Sequence, residues 1–173
     1  MEEIEVPTEK LHETIEEKVE EAIKEKEKGW SMYVAISTAL IAVLAAISAL
    51  LAGHHSDEAL ISKISESDQW AYYQAKGIKS EIKDLAVSMG KADASDIEKY
   101  KKDQEEIKEK ADKDEEEYQV HLHKHGLLSQ AVTLFQIAIA ISAIAILTRR
   151  KFLWYASMGL ALAGIYFFVS GLI

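Results

Sequence analysis

Three stretches of this chain, residues 30–52, 127–147 and 152–173, are each at least 21 residues long and contain no Asp, Glu, Lys, Arg or His. About 20 such residues in a helix cross a hydrocarbon layer of roughly 30 Å, so each stretch is long enough to be a transmembrane helix. In lipid the backbone must satisfy its own hydrogen bonds, which leaves helices as the solution for segments of this length. The near-zero mean hydropathy is an average of these greasy segments with others dense in Glu and Lys. The first stretch follows 29 polar residues, exceeds the length of a signal-peptide core and carries no clear small-residue cleavage pattern, so it reads as a retained span.

The formal net charge of −9 is unevenly placed. Residues 1–29 hold 11 acidic against 5 basic side chains, residues 53–126 hold 18 against 12, and Arg149, Arg150 and Lys151 form the basic link between the last two stretches. An acidic surface argues against nucleic acid as a partner, because binding there rests on neutralised phosphates. The basic link is the short loop that orients the chain. Placed in the cytoplasm with the N-terminus, it puts residues 53–126 and the C-terminus outside, and Lys24, Lys26 and Lys28 agree with that choice. With no cysteine, disulfides, thiolate metal sites and cysteine nucleophiles are excluded.

Residues 53–126 carry 3-4 apolar spacing twice, interrupted at Met89-Gly90-Lys91-Ala92-Asp93, which predicts an antiparallel coiled-coil hairpin turning near 90–95. In the first arm the apolar series runs Ile61, Ile64, Asp68, Ala71, Ala75, Ile78, Ile82, Leu85, Met89, and it is expected to be the seam. Gly90 is a natural helix stop, and Ser95 with Glu98 makes a capping-box pair at the start of the second arm. There the series is Ile97, Tyr100, Gln104, Ile107, Ala111, Asp114, Tyr118, His121, His125. At 1.5 Å per residue each arm is roughly 50 Å long. Two registers half a heptad apart are open. Asp68 faces Asp114 in one and His121 in the other, with Tyr118 beside them, and such polar seam positions serve register or oligomer state. Ahead of the first span, Leu11, Ile15, Val19, Ala22 and Ile23 after Pro7-Thr8 form the narrow stripe of an N-terminal amphipathic acidic helix that needs a copy of itself, or another helix, as a partner. The fold class expected is therefore all-α: three transmembrane helices, a long antiparallel coiled-coil hairpin and this N-terminal helix.

Five of the six histidines fall at the membrane end of the arms: His54, His55, His121, His123 and His125. His121 and His125 share a helix face at i, i+4 spacing, so two imidazoles can reach one Zn, Cu or Ni ion, with the other pair a few turns away. The same residues have a blander role as solvated groups complementing helix ends. On the first arm, Trp70, Tyr73, Gly77 and Ser80 share a face outside the expected seam, and with Gln74 and Lys76 they make a candidate interaction face for another protomer.

At this stretch, Ser67-Asp68-Gln69-Trp70-Ala71-Tyr72-Tyr73-Gln74-Ala75-Lys76, together with the Leu147-Thr148-Arg149-Arg150 link, resembles the domain of unknown function 4337 family, over most of the chain from the first span onward. The resemblance implies a bacterial or archaeal protein of the cytoplasmic membrane with this layout, implies no activity, and adds nothing to the histidine cluster.

Inside the three stretches the side-chain polar atoms belong to Ser, Thr, Tyr, Trp, Gln130 and Gln136, without the ionisable groups a proton-coupled transporter uses at depth. Small residues recur four apart at Ala35 and Ala39, at Thr38, Ala42 and Ala46, and at Gly159 and Ala163, so these faces are expected to be the helix contacts. Ser129, Thr133 and Gln136 are the polar positions that could line a pore or lock helices together. No phosphate loop, activated nucleophile or pocketed carboxylate pair is visible, and no small-molecule substrate is implied. The reading favoured is a non-enzymatic homo-oligomeric scaffold or adaptor in a lipid bilayer, with an oligomeric channel and a metal or pH sensor as alternatives.

Overall fold

The computed structural model describes residues 7–91 and 95–173, and among them there are helices and turns but no strand. The elements are α1 (Pro7–Ser88), α2 (Ser95–Thr148) and α3 (Lys151–Leu172). The expected divisions at 29/30, 52/53 and 126/127 are changes of side-chain chemistry along unbroken helices. Three helices are long and apolar enough to cross a membrane. The side chains of Leu11, Ile15, Ala22 and Ile23, and that of Ser95 with its capping box, lie outside the described residues, while Val19 is exposed.

The turn after α1 has a local cause. Gly90 takes φ +71°. Its N–H donates to the Val87 carbonyl at 2.9 Å and the Lys91 N–H to that of Ala86 at 2.9 Å, the pair of bonds that closes a helix on a left-handed residue. Glycine reaches that region without Cβ strain. The link from α2 to α3 instead places a non-glycine residue, Arg149, at φ 54°.

The chain divides into two compact units. One comprises residues up to Ala45 with Thr133–Ala163. Its buried positions, Val34, Ile41 and Ala45 on α1, Phe135, Ala138, Ser142 and Ala145 on α2, and Ser157 and Ala161 on α3, recur at three-, four- and seven-residue steps on each helix. Phe135, fully buried, is the largest of them. Several polar atoms here are paired within the unit, although the buried Trp30 indole N–H has no partner: the Ser142 and Ser157 hydroxyls meet at 2.8 Å, and the Trp154 indole N–H donates to Ser37 Oγ at 3.1 Å. Ser37 and Thr38 donate back to the Val34 carbonyl at 2.9 and 2.7 Å, so these two hydroxyls have acceptors on their own helix.

The small-residue faces expected to make the contacts of this region turn outward. Ala35, Ala39, Ala42, Gly159 and Ala163 are exposed, Thr38 is half-buried, and Ala46, which belongs to the other unit, is exposed as well. Small residues do line the buried side, but through Ala45, Ala138, Ala145 and Ala161.

The second unit, Ala46–Val132 with Gly164–Ile173, holds the two arms side by side and antiparallel. Lys76 meets Asp103 at 2.5 Å, Ser65 donates to Asp114 at 2.7 Å, and Lys63 meets Glu115 at 3.0 Å. These pairs define one register. The α3 end packs closely too: a Cβ on Gly171 would stand 2.8 Å from Leu128 Cγ.

Candidate functional site

In the second arm the expected seam holds. Ile107 and Ala111 are buried, and Tyr100, Gln104, Asp114, Tyr118, His121 and His125 are half-buried. The first arm is turned the other way. Ile61, Ile64, Ile78, Ile82, Leu85 and Met89 are 54–62% exposed, and Asp68, Ala71 and Ala75 are exposed with them. Instead Ala59, Ser62 and Ser80 are buried, with Glu66, Gln69, Tyr73, Lys76, Gly77, Lys83 and Val87 half-buried at the same 3-4 spacing. The arm thus carries two such series on opposite faces. The inner one wins because Ala59, Ser62, Gly77 and Ser80 let the backbones approach while Tyr100, Ile107 and Tyr118 supply bulk from the other side.

Two sequence expectations are corrected by this rotation. Asp68 faces neither Asp114 nor His121: Asp114 accepts from Ser65, and His121 meets His55. The face of Trp70, Tyr73, Lys76 and Gly77 is directed to the second arm, where the Gln104 amide donates to the Tyr73 carbonyl at 3.3 Å and Gln104 Nε2 lies 2.9 Å from where a Gly77 Cβ would be. Trp70 is half-buried with its ring edge-on to Tyr73 at 5.6 Å, and Gln74 stays exposed. The signal that could have found this is the second 3-4 series itself, which small and polar residues disguise.

Lys76 also lies 5.4 Å from the centres of both the Tyr72 and Tyr100 rings. The Asp103 carboxylate holds its ammonium above the ordinary lysine range, and Lys76 in turn holds Asp103 below the usual carboxylate range. Glu115 is lowered as well, first by the Gln119 amide and then by Lys63. A carboxylate with a depressed folded pKa adds stability that is complete above its unfolded value, near pH 4, and is lost as pH falls through the folded one. Between pH 5 and pH 3 the thermal midpoint of the detergent-purified protein should therefore fall, and the double variant Asp103→Asn/Glu115→Gln should show a flatter profile. An unchanged slope would remove these pairs from the account of the arms.

The histidines separate into distinct environments. His55 Nδ1 and His121 Nδ1 are 2.9 Å apart, with ring centres at 5.2 Å, and His54 lies 5.6 Å from His55. His125 Nδ1 donates to the Ala52 carbonyl at 2.8 Å. His123 is exposed and borders an open groove of about 640 Å³ with Gln119, Val120, Lys124, Ser170 and Ile173. Among the described residues only His55 and His121 meet through ring nitrogens, and no group of three or more His, Cys, Asp or Glu is arranged to hold a metal ion. Of the polar positions in α2, Ser129 is half-buried whereas Thr133 and Gln136 are exposed.

These features define an all-helical chain with three helices able to cross a membrane, a polar inner seam and an outward apolar stripe. The chain belongs to the family described as Domain of unknown function (DUF4337), which it matches over residues 30–173. The acidic segment before residue 30 lies outside that match. No curated protein and no solved structure matches it.

Proposed function

We propose that this chain is a non-enzymatic scaffold of the prokaryotic cytoplasmic membrane that assembles with copies of itself through the outward face of its first arm. The observation that carries the reading is the exposed series Ile61, Ile64, Ile78, Ile82, Leu85 and Met89. Its spacing is that of a coiled-coil seam, and an exposed apolar strip of this length outside the apolar segments marks an interaction surface. Its flanks, Leu60, Ser65, Ser67, Tyr72, Gln74, Lys79, Glu81, Ala86 and Ser88, hold only two charges, in contrast to the densely charged second arm. A copy of the same stripe is the partner that such a surface fits.

Copies inserted in one orientation are related by an axis along the membrane normal, so two stripes would run parallel with identical positions opposed. Asp68 then falls at one seam position, where a polar residue lowers stability and fixes register. The exposed amide of Gln136, within an apolar segment, gives a second reason for a neighbour, since a hydrogen bond across helices would satisfy it in lipid. In this reading residues 1–29 and the 149–151 link are cytoplasmic, and the arms and C-terminus are outside. Native mass spectrometry of the chain released from nanodiscs should give a homo-oligomer, and a monomer at all concentrations would rule the scaffold out. Protease should cut the arms in intact spheroplasts; a protected hairpin would reverse the orientation.

A channel is the second reading, favoured by the outward Thr133 and Gln136 face. Silence in planar bilayers across voltages would count against it.

A further inference from the structure

We propose that His55 and His121 are the two protein ligands of a binding site for a divalent transition ion of the zinc type, which staples the two arms together at the end next to the apolar segments. The observation is the approach of two ring nitrogens of the same kind, Nδ1 to Nδ1 at 2.9 Å, from residues 66 positions apart in sequence. Two neutral imidazoles can share such a contact only when one is the Nδ1–H tautomer and donates to the lone pair of the other. The same pair of atoms suits a metal. Zn–N bonds of 2.0–2.1 Å at a tetrahedral angle separate two ligand nitrogens by about 3.3 Å, so to admit an ion the nitrogens part by about 0.4 Å and each ring, aimed at the other in the apo contact, turns by roughly 35° to bring its lone pair onto the metal.

Binding then asks for one change of proton position. The ring that donates in the apo contact shifts its proton from Nδ1 to Nε2, through water, and both Nδ1 lone pairs face the ion. No net proton is released when both rings begin neutral. The fixed charges acting on His55 are Lys124, which opposes a positive ion, and Glu58, which favours one. Water completes the coordination sphere. The Ala52 carbonyl and His125 hold the arms together one turn away, so the two rings are held next to each other before the ion arrives. Imidazole ligands select Zn, Cu or Ni over Mg and Ca, which prefer oxygen.

The placement gives the ion a consequence: it clasps α1 to α2 and stabilises only the closed arms, as any ligand specific for one state does. The site is independent of assembly, because the stripe lies on the opposite face of the arm.

Isothermal titration of the full chain in detergent with zinc chloride should show saturable binding of one ion per chain in the micromolar range, with magnesium chloride giving no heat. His55→Ala and His121→Ala should each weaken zinc binding by more than about tenfold, the loss that removing even an outer partner of a ligand causes, whereas His123→Ala should stay within about twofold of wild type. Because a variant can fail to fold, the wild-type protein loaded with Cu²⁺ supplies a second readout: its electron paramagnetic resonance spectrum should show coupling to two imidazole nitrogens. An equal loss with His123→Ala, coupling to fewer than two nitrogens, or no saturable zinc binding would each overturn the site.

Discussion

Replacing Ile78 and Ile82 together by Asp should convert the assembled protein to monomers while leaving its helical content unchanged. The two side chains are 58% and 62% exposed in the single chain, so neither supports the fold of the arm. In a parallel pair of stripes they become buried, and each contributes on the order of 1–2 kcal/mol per copy as apolar surface leaves water. Asp at those positions removes that term and adds the cost of burying unpaired like charges. The combined change amounts to a loss of more than about 100-fold in self-affinity, since each 1.4 kcal/mol is about tenfold. Ser80→Asp is the informative comparison. Ser80 is only 6% exposed and lies on the inner seam, so its replacement should lower the thermal midpoint of the arms and leave the stripe intact. Sedimentation in detergent and circular dichroism on the same samples separate the two effects. If Ser80→Asp dissociates the protein and the stripe variant does not, the two seams have been assigned to the wrong faces.

Phe135→Ala is expected to cause the largest loss of stability of any single truncation in the unit formed by residues up to Ala45 with Thr133–Ala163. Phe135 has no exposed surface and is the largest fully buried side chain among the described residues. Removing a buried aromatic leaves a cavity that neighbours fill only in part, at about 3–5 kcal/mol in well-packed interiors. Ile137, two residues on and 44% exposed, is the control, and Ile137→Ala should cost less than about 1 kcal/mol. Reversible unfolding in mixed micelles of increasing sodium dodecyl sulfate would give both values. Equal effects of the two substitutions would contradict the packing described.

The helical architecture was legible in the sequence because it rests on large, unambiguous signals. Charge-free stretches of 21 residues or more admit few folds, and Gly90 stops α1 through a conformation that glycine adopts without strain. The second-arm seam was legible for a related reason: on α2, Tyr100, Ile107, Ala111 and Tyr118 make one apolar series at 3-4 spacing on an otherwise charged helix. On the first arm the same reasoning chose the wrong face. Ile61, Ile78, Ile82 and Leu85 form the greasier series, but close approach between helices is governed by size as well as by hydrophobicity. Ala59, Ser62, Gly77 and Ser80 fit against the bulk of α2, and the greasier series is left outside. The pairing of His55 with His121 could not be read either, because it depends on the register between two long helices. That register is set by the Lys76–Asp103 and Ser65–Asp114 contacts across the inner seam.

The outward first-arm stripe as a contact between copies is the central claim, and the absence of cysteine makes it directly measurable. Single cysteines placed at Ile78, Ile82, Leu85 and, as an exposed control one position away, Asp84 can be treated with a short thiol crosslinker in native membranes. The account predicts covalent dimers from Ile78→Cys, Ile82→Cys and Leu85→Cys and little from Asp84→Cys. Dimers from Asp84→Cys in equal yield, or none from the three stripe positions, would contradict it.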